Sequence, residues 1–192
     1  MIVAHRGASR DAPENSIAAF DLAWRQGADA IEADFWLTRD GQVVCFHDAD
    51  TKRIAGVQKI VNQSVLAELR ELDIGAKRDE AFKGSRIPTL EDVLATIPSG
   101  KSIYIEIKCG PEIIPRLLET RAASDLRPAP VMMISFTDKV PEVLKAKAPE
   151  YAVSWLCRSN KKTTGGVTPT QAQVLATVAR IQADGRRFNL LI

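Results

Sequence analysis

Two carboxylates, Glu32 and Asp34, stand two residues apart in the run "AIEADFW". In an extended strand successive side chains point to opposite faces, so these two share a face while Ile31, Ala33 and Phe35 take the other. Carboxylates side by side repel, so either one carries a proton or a cation lies between them. Hard divalent cations such as Mg2+ and Ca2+ favour oxygen ligands of this kind. Two acids on a solvated strand edge would have the same spacing, and the pattern alone leaves both readings open. In "SIYIEIK" the same alternation sets Glu106 and Lys108 opposite Ile105 and Ile107. Charged groups are rarely buried without partners, so this pair marks either a polar site at a strand end or a structural salt bridge.

The chain has two histidines, and each closes a short apolar run: His5 ends "IVAH" and His47 ends "VVCFH". In parallel α/β folds active sites lie at the C-terminal ends of strands. A single histidine there would be read as structural. Two at equivalent strand ends, with pKa values near neutrality, can serve as acid and base in one reaction. Arg6 adds a fixed fork of donors suited to phosphate oxygens. Gly7 is expected to let the chain turn away closely beneath a ligand. Two imidazoles, three carboxylates, a guanidinium and an ammonium suit metal-assisted cleavage of a phosphodiester. A cation and the basic groups would stabilise the extra negative charge, while the histidines move protons on and off oxygen.

These residues need a scaffold of alternating elements. Apolar runs predict strands over Ile2–His5, Ala30–Trp36, Val43–His47, Ser102–Lys108, Val131–Ser135 and Ala152–Leu156, with a further one over Phe188–Ile192. Amphipathic spacing predicts helices over Ser16–Gln26, Val65–Leu72, Leu90–Thr96, Glu112–Arg121, Val140–Ala146 and Thr170–Ala183. The alternation is that of an α/β fold with a parallel sheet. Gly27 sits where a helix C-terminus needs it, "TRDGQ" is a turn between two strands, and Thr89 caps the helix of "TLEDVLATI". Residues 52–88 are polar and irregular and read as an excursion from the main fold, and residues 157–169 read as a loop.

Composition narrows the class. With 192 residues and 45% hydrophobic content the chain can form one domain with a real core. Lys and Arg number 26 against 24 Asp and Glu, which makes no electrostatic case for nucleic acid or an anionic membrane. No apolar run approaches the ~20 residues of a membrane span, and no leader-like pattern opens the chain. The three cysteines are odd in number and far apart, as in a reduced cytoplasmic protein.

The stretch "AHRGASRDAPENSIAAFDLAWRQGADAIEADFWLTRDGQVVCFHD", followed by "IPTLEDVL", "YIEIK" and "ISF", resembles the glycerophosphodiester phosphodiesterase family, within the PLC-like phosphodiesterase superfamily. The resemblance implies a TIM-type (β/α)8 barrel over one domain, 1–192, with the site at the C-terminal strand ends. It implies that His5 and His47 are catalytic, that Glu32, Asp34 and Glu106 hold a divalent cation, Mg2+ or Ca2+, and that Arg6 and Lys108 bind substrate. Residues 52–88 would be the counterpart of the family's substrate-covering insertion. Asn15, in the Pro-Glu-Asn-Ser element, lies either near the site or at the cap of the first helix. The implied reaction splits a small glycerophosphodiester into sn-glycerol 3-phosphate and an alcohol. A related phosphodiesterase acting on lysophospholipids, or a metal- or phosphodiester-binding domain without turnover, are the other readings. A barrel of this kind typically takes ~250 residues. "IQADGRRFNLLI" resembles the approach to the seventh strand, and the family's last strand has no counterpart here. The expectation is therefore a barrel lacking its last strand or strands.

Overall fold

The computed structural model describes residues 1–124, 131–158, 160, 161, 167–182 and 184. Strands and helices alternate as the periodicity requires. The strands are β1 (Val3–His5), β2 (Ala30–Leu37), β3 (Val43–Cys45), β4 (Ser102–Ile107), β5 (Val131–Ser135) and β6 (Ala152–Trp155). The helices are α1 (Ile17–Arg25), α2 (Lys52–Ala55), α3 (Leu66–Arg70), α4 (Leu90–Ala95), α5 (Ile114–Ala123), α6 (Lys139–Lys147) and α7 (Gln171–Ile181). β1, β2, β4, β5 and β6 pair in that order, all parallel, and β3 pairs antiparallel with β2. This is the wall of a (β/α) barrel. The strand expected over 188–192 lies outside the described residues, as does Ala183 at the end of the last expected helix. In the stretch read as a loop, Asn160–Lys161 (β7) pairs antiparallel with Val167–Thr168 (β8).

The two sheet faces divide as the alternation demands. Ile31, Ala33, Phe35, Ile103, Ile105 and Ile107 are buried against the helix layer, among them Phe20 and Ala23 of α1, Leu90, Val93 and Leu94 of α4, and Leu117 of α5. The other face carries Ala30 and Tyr104 low in the sheet, with Val3 and Met132 beside them, and Ile134 level with Glu106. One and two positions further along the same face come His5, Glu32, Asp34, Glu106 and Lys108. An apolar floor thus lies beneath a charged rim at the C-terminal ends of the strands.

Local signals hold the helices in place. Ser16 caps α1 by accepting from Ala19 N–H at 3.1 Å, and Gly27 takes a φ of +87° just past its end. Thr89 and Asp92 form a reciprocal capping box at α4. Residues 52–88 fold around their own cluster, in which Val61, Leu69, Leu72, Ile74 and Ile87 pack with Val44 and Phe46. The helix expected over Val65–Leu72 is α3, Leu66–Arg70, and the short helix α2 and two 3-10 turns are added to it. Among the described residues no helix is long and apolar enough to cross a membrane.

Candidate active site

Strand register brings the carboxylates together. His5 lies beside Glu32 across β1 and β2, and Asp34 beside Glu106 across β2 and β4. Glu32, Asp34 and Glu106 each place an oxygen within 4.8 Å of the others, at 1%, 1% and 8% exposure. Burial, together with the charges of Asp34 and Glu106, pushes Glu32 well above the usual carboxylate range; a bond from Arg6 N–H to its Oε2 at 3.0 Å pulls the other way. Its Oε1 is buried and has no hydrogen-bond partner among the described residues. A buried acceptor left open beside two further carboxylates is an all-oxygen donor set, and it fits a hard divalent cation. Lys108 Nζ lies 2.7 Å from Glu106 Oε1 and 3.3 Å from Asp34 Oδ1, and Arg6 Nε lies 3.3 Å from Asp34 Oδ2. Three carboxylates against these two cations leave one negative charge; a divalent ion would turn that into one positive charge, matched to an anionic diester.

The turn after β1 is built from residues in the left-handed region: Arg6 at φ +57° and Gly7 at +76°. For a non-glycine residue that conformation is strained, and such strain gathers at sites where geometry matters. It aims the Arg6 backbone N–H at Glu32 while the guanidinium reaches Asp34 and, through Nη1 at 3.1 Å, Glu14. A Cβ at Gly7 would lie 2.7 Å from the Ala19 backbone, so the close approach of the turn to α1 by itself requires glycine there. His5 Nε2 stands 3.9 Å from Glu32 Oε2. Burial and the Arg6 charge lower its pKa, Asp34 opposes them, and His47 is near enough to lower it further.

The two histidines do not sit at equivalent strand ends, as the sequence pattern implied. β3 runs antiparallel, pairing Cys45 with Phe35, and it shares with β1 the same edge of β2. The hairpin overshoots the rim and returns, and the strand stops at Cys45, so Phe46 N–H bonds Asp34 O at 2.9 Å and His47 arrives at the rim from above. Trp36 Nε1 donates to His47 O at 3.3 Å, and His47 Nδ1 meets Asp48 Oδ1 at 2.6 Å. Asn15 is a site residue and not the cap, which is Ser16: its Nδ2 donates to Asp34 Oδ2 at 2.8 Å and its Oδ1 accepts Asp34 N–H at 3.2 Å.

Three residues around the site escape the sequence reading. Glu14 holds Arg6, Asp48 holds His47, and Arg53 bonds both of these carboxylates. Asp48 adjoins a candidate histidine and Glu14 adjoins Asn15, so chain proximity is a usable signal for those two. Arg53 is one basic residue in a polar stretch and carries none.

Residues 5–185 match the model of the glycerophosphoryl diester phosphodiesterase family. Among curated relatives, the Bacillus subtilis protein YhdW is 48% identical over 110 residues, 57% of this chain and 45% of its own. The glycerophosphodiester phosphodiesterase of Caldanaerobacter subterraneus is 42% identical over 120 residues, 62% of this chain and 49% of its own. The chain thus spans about half the length of these relatives. An Oleispira antarctica phosphodiesterase, solved with the product sn-glycerol-3-phosphate, superposes with a TM-score of 0.85 at 28% identity, covering 95% of this chain and 72% of that one. A glycerophosphodiester phosphodiesterase from Agrobacterium tumefaciens gives 0.69 at 35% identity, covering 79% and 64%.

Proposed function

Because the chain belongs to the glycerophosphoryl diester phosphodiesterase family, we propose that it hydrolyses small glycerophosphodiesters to sn-glycerol 3-phosphate and an alcohol. The observation that carries this reading is the convergence of Glu32, Asp34 and Glu106 within 4.8 Å of one another, ringed by His5, Arg6 and Lys108. Glu32, Asp34 and Glu106 would hold a divalent cation, Mg2+ or Ca2+, which when bound supplies charge stabilisation at the phosphoryl oxygens. Arg6 and Lys108 bind the diester's anionic oxygens.

In the first step one imidazole takes the proton from the glycerol 2-hydroxyl, and that oxygen bonds to phosphorus. The P–O bond to the alcohol breaks, and the other histidine gives its proton to the leaving oxygen. The product is a cyclic phosphate. In the second step water adds to phosphorus, the now-neutral histidine accepts its proton, and the protonated one returns a proton to the 2-oxygen as the ring opens. Both imidazoles end as they began. Residues 52–88 would cover the substrate, since α2 lies against the His47 end of the site through Arg53. The three thiols, unpaired with one another, suit a cytoplasmic setting.

The test is hydrolysis of glycerophosphocholine and glycerophosphoethanolamine by the 192-residue chain, with added Mg2+ or Ca2+ and with chelator. Release of sn-glycerol 3-phosphate, abolished by chelator and by His5→Ala with His47→Ala, is expected. Metal-dependent turnover of lysophospholipids alone would replace the substrate class, and metal binding without any turnover would overturn the enzymatic reading.

A further inference from the structure

Arg53 joins residues 52–88 to both ends of the site. From α2 its Nε donates to Asp48 Oδ2 at 2.6 Å, while Nη1 and Nη2 donate to the two oxygens of Glu14 at 3.0 and 2.7 Å. Each carboxylate also holds a site residue: Asp48 Oδ1 meets His47 Nδ1 at 2.6 Å, and Glu14 Oε1 accepts from Arg6 Nη1 at 3.1 Å. The chain of contacts is continuous from His47 through Asp48, Arg53 and Glu14 to Arg6. The surrounding backbone is tied down as well, since Lys77 Nζ donates to Arg53 O at 2.8 Å and the Arg78 guanidinium donates to Arg10 O.

An ionised carboxylate only accepts, so Asp48 places the proton of a neutral His47 on Nδ1 and leaves Nε2 free to take up another. That holds only while Asp48 keeps its own rotamer. Without Arg53, Asp48 and Glu14 lose the cation they share, and each can turn to water. We propose that Arg53 is a positioning residue: it fixes Asp48, and so the tautomer and ring orientation of His47, while through Glu14 it fixes the guanidinium of Arg6. The docking of residues 52–88 would thus set the proton-transfer group and the phosphate-binding group together. The catalytic consequence rests on the function proposed above; the geometric claim does not.

The test therefore reads His47 without turnover. With 15N-labelled histidine at about pH 8, above the ordinary histidine range, the wild-type His47 ring should show a single Nδ1–H tautomer, assigned with the help of His5→Gln. Arg53→Ala and Arg53→Gln should show mixed tautomers while still unfolding cooperatively. In an Asp48→Asn background, Arg53→Gln should add nothing further. Where the wild type turns over glycerophosphodiesters, both Arg53 variants should lose at least about tenfold in kcat, the low end for a group that orients a site residue and less than loss of the acid–base group itself would cost. A single Nδ1–H tautomer in the folded variants overturns the proposal, as does loss of cooperative unfolding in both, which would make Arg53 a structural group. If the wild type turns over no glycerophosphodiester but the tautomers respond, the proposed function fails and the positioning role stands.

Discussion

Asn15 closes a gap in the sheet at Asp34. β1 pairs with residues 30–32 of β2 and β3 with residues 35–37 on the same edge, so Asp34 falls between two ladders. The Asn15 side chain fills the break, accepting Asp34 N–H at 3.2 Å and donating to the Asp34 carboxylate at 2.8 Å. It does so from φ +57°, and its Oδ1 also accepts from the buried Cys45 thiol at 3.3 Å. One amide thus substitutes for a missing strand neighbour and orients a candidate metal ligand.

Replacing Asn15 should cost both stability and cation binding. Asn15→Ala strands a buried N–H and a carboxylate oxygen and puts alanine in the left-handed region. The expected loss is about 2–4 kcal/mol by chemical denaturation. Asn15→Gly loses the same contacts without the backbone strain, so it should recover about 1 kcal/mol of that. Both should bind Mg2+ or Ca2+ more weakly by calorimetry. Equal stability of the two variants would show that the strained backbone is not a separate cost.

Strand alternation made the shared face of Glu32 and Asp34 legible in the sequence, and the apolar run around Glu106 showed that its strand was central. What stayed hidden depends on register and connection. Asn15 could cap a helix or serve the site, and only the gap between β1 and β3 decides between them. The hairpin that delivers His47 is marked by the Asp-Gly turn of "TRDGQ", but the hydrophobic pattern of β3 shows neither its direction nor where it stops, because it alternates in the same way in either direction. Arg53 is illegible for a different reason: its partners, Glu14 and Asp48, come from two other segments, and long-range pairing has no periodicity.

Glu32 should trade stability for cation binding. Its carboxylate is buried beside two others and keeps one oxygen unpartnered among the described residues. Glu32→Gln keeps the shape and removes the repulsion. In the absence of metal the variant should therefore melt at or above the wild-type temperature. With Mg2+ or Ca2+ added, the wild type should rise in Tm and the variant should not. A metal-free variant that melts well below the wild type would mean that the ionised carboxylate is itself stabilising.

The Arg53 network should make stability sensitive to acid. Burial raises the pKa of Glu14, but its bonds to Arg53 and the charges of Arg53 and Arg6 outweigh that and hold it below its ordinary 4.5. Burial likewise acts against Arg53 and His47 at Asp48, and again the net displacement is downward from 3.8. A carboxylate depressed in the folded state stabilises fully above its unfolded pKa and loses that contribution as pH falls through the folded one. The wild type should therefore exceed Arg53→Ala in stability by about 1 kcal/mol at pH 7, a modest figure for a half-exposed arginine screened by water. The difference should shrink as pH falls below about 4. Denaturant titrations of both proteins across that range would check it, and a gap that widens on acidification would reverse the assigned sign.

Gly7 and Gly27 share a positive φ, +76° and +87°, yet they should respond differently to substitution. At Gly27 an added Cβ meets nothing within 4 Å, so Gly27→Ala carries only the backbone cost of the left-handed region, about 1 kcal/mol. At Gly7 the added Cβ would sit 2.7 Å from Ala19 C and 2.8 Å from Ala19 O, backbone atoms that cannot swing aside. Gly7→Ala must push α1 away from the β1 turn, adding about 1–3 kcal/mol of overpacking to the same backbone cost. Since that turn also aims the Arg6 N–H at Glu32, activity should fall with stability at Gly7 and stay near wild type at Gly27. Comparing the two variants by denaturation and by kcat separates strain that reaches the site from strain that does not. Similar losses at both positions would show that backbone conformation alone requires glycine at Gly7, with no contribution from its contact with α1.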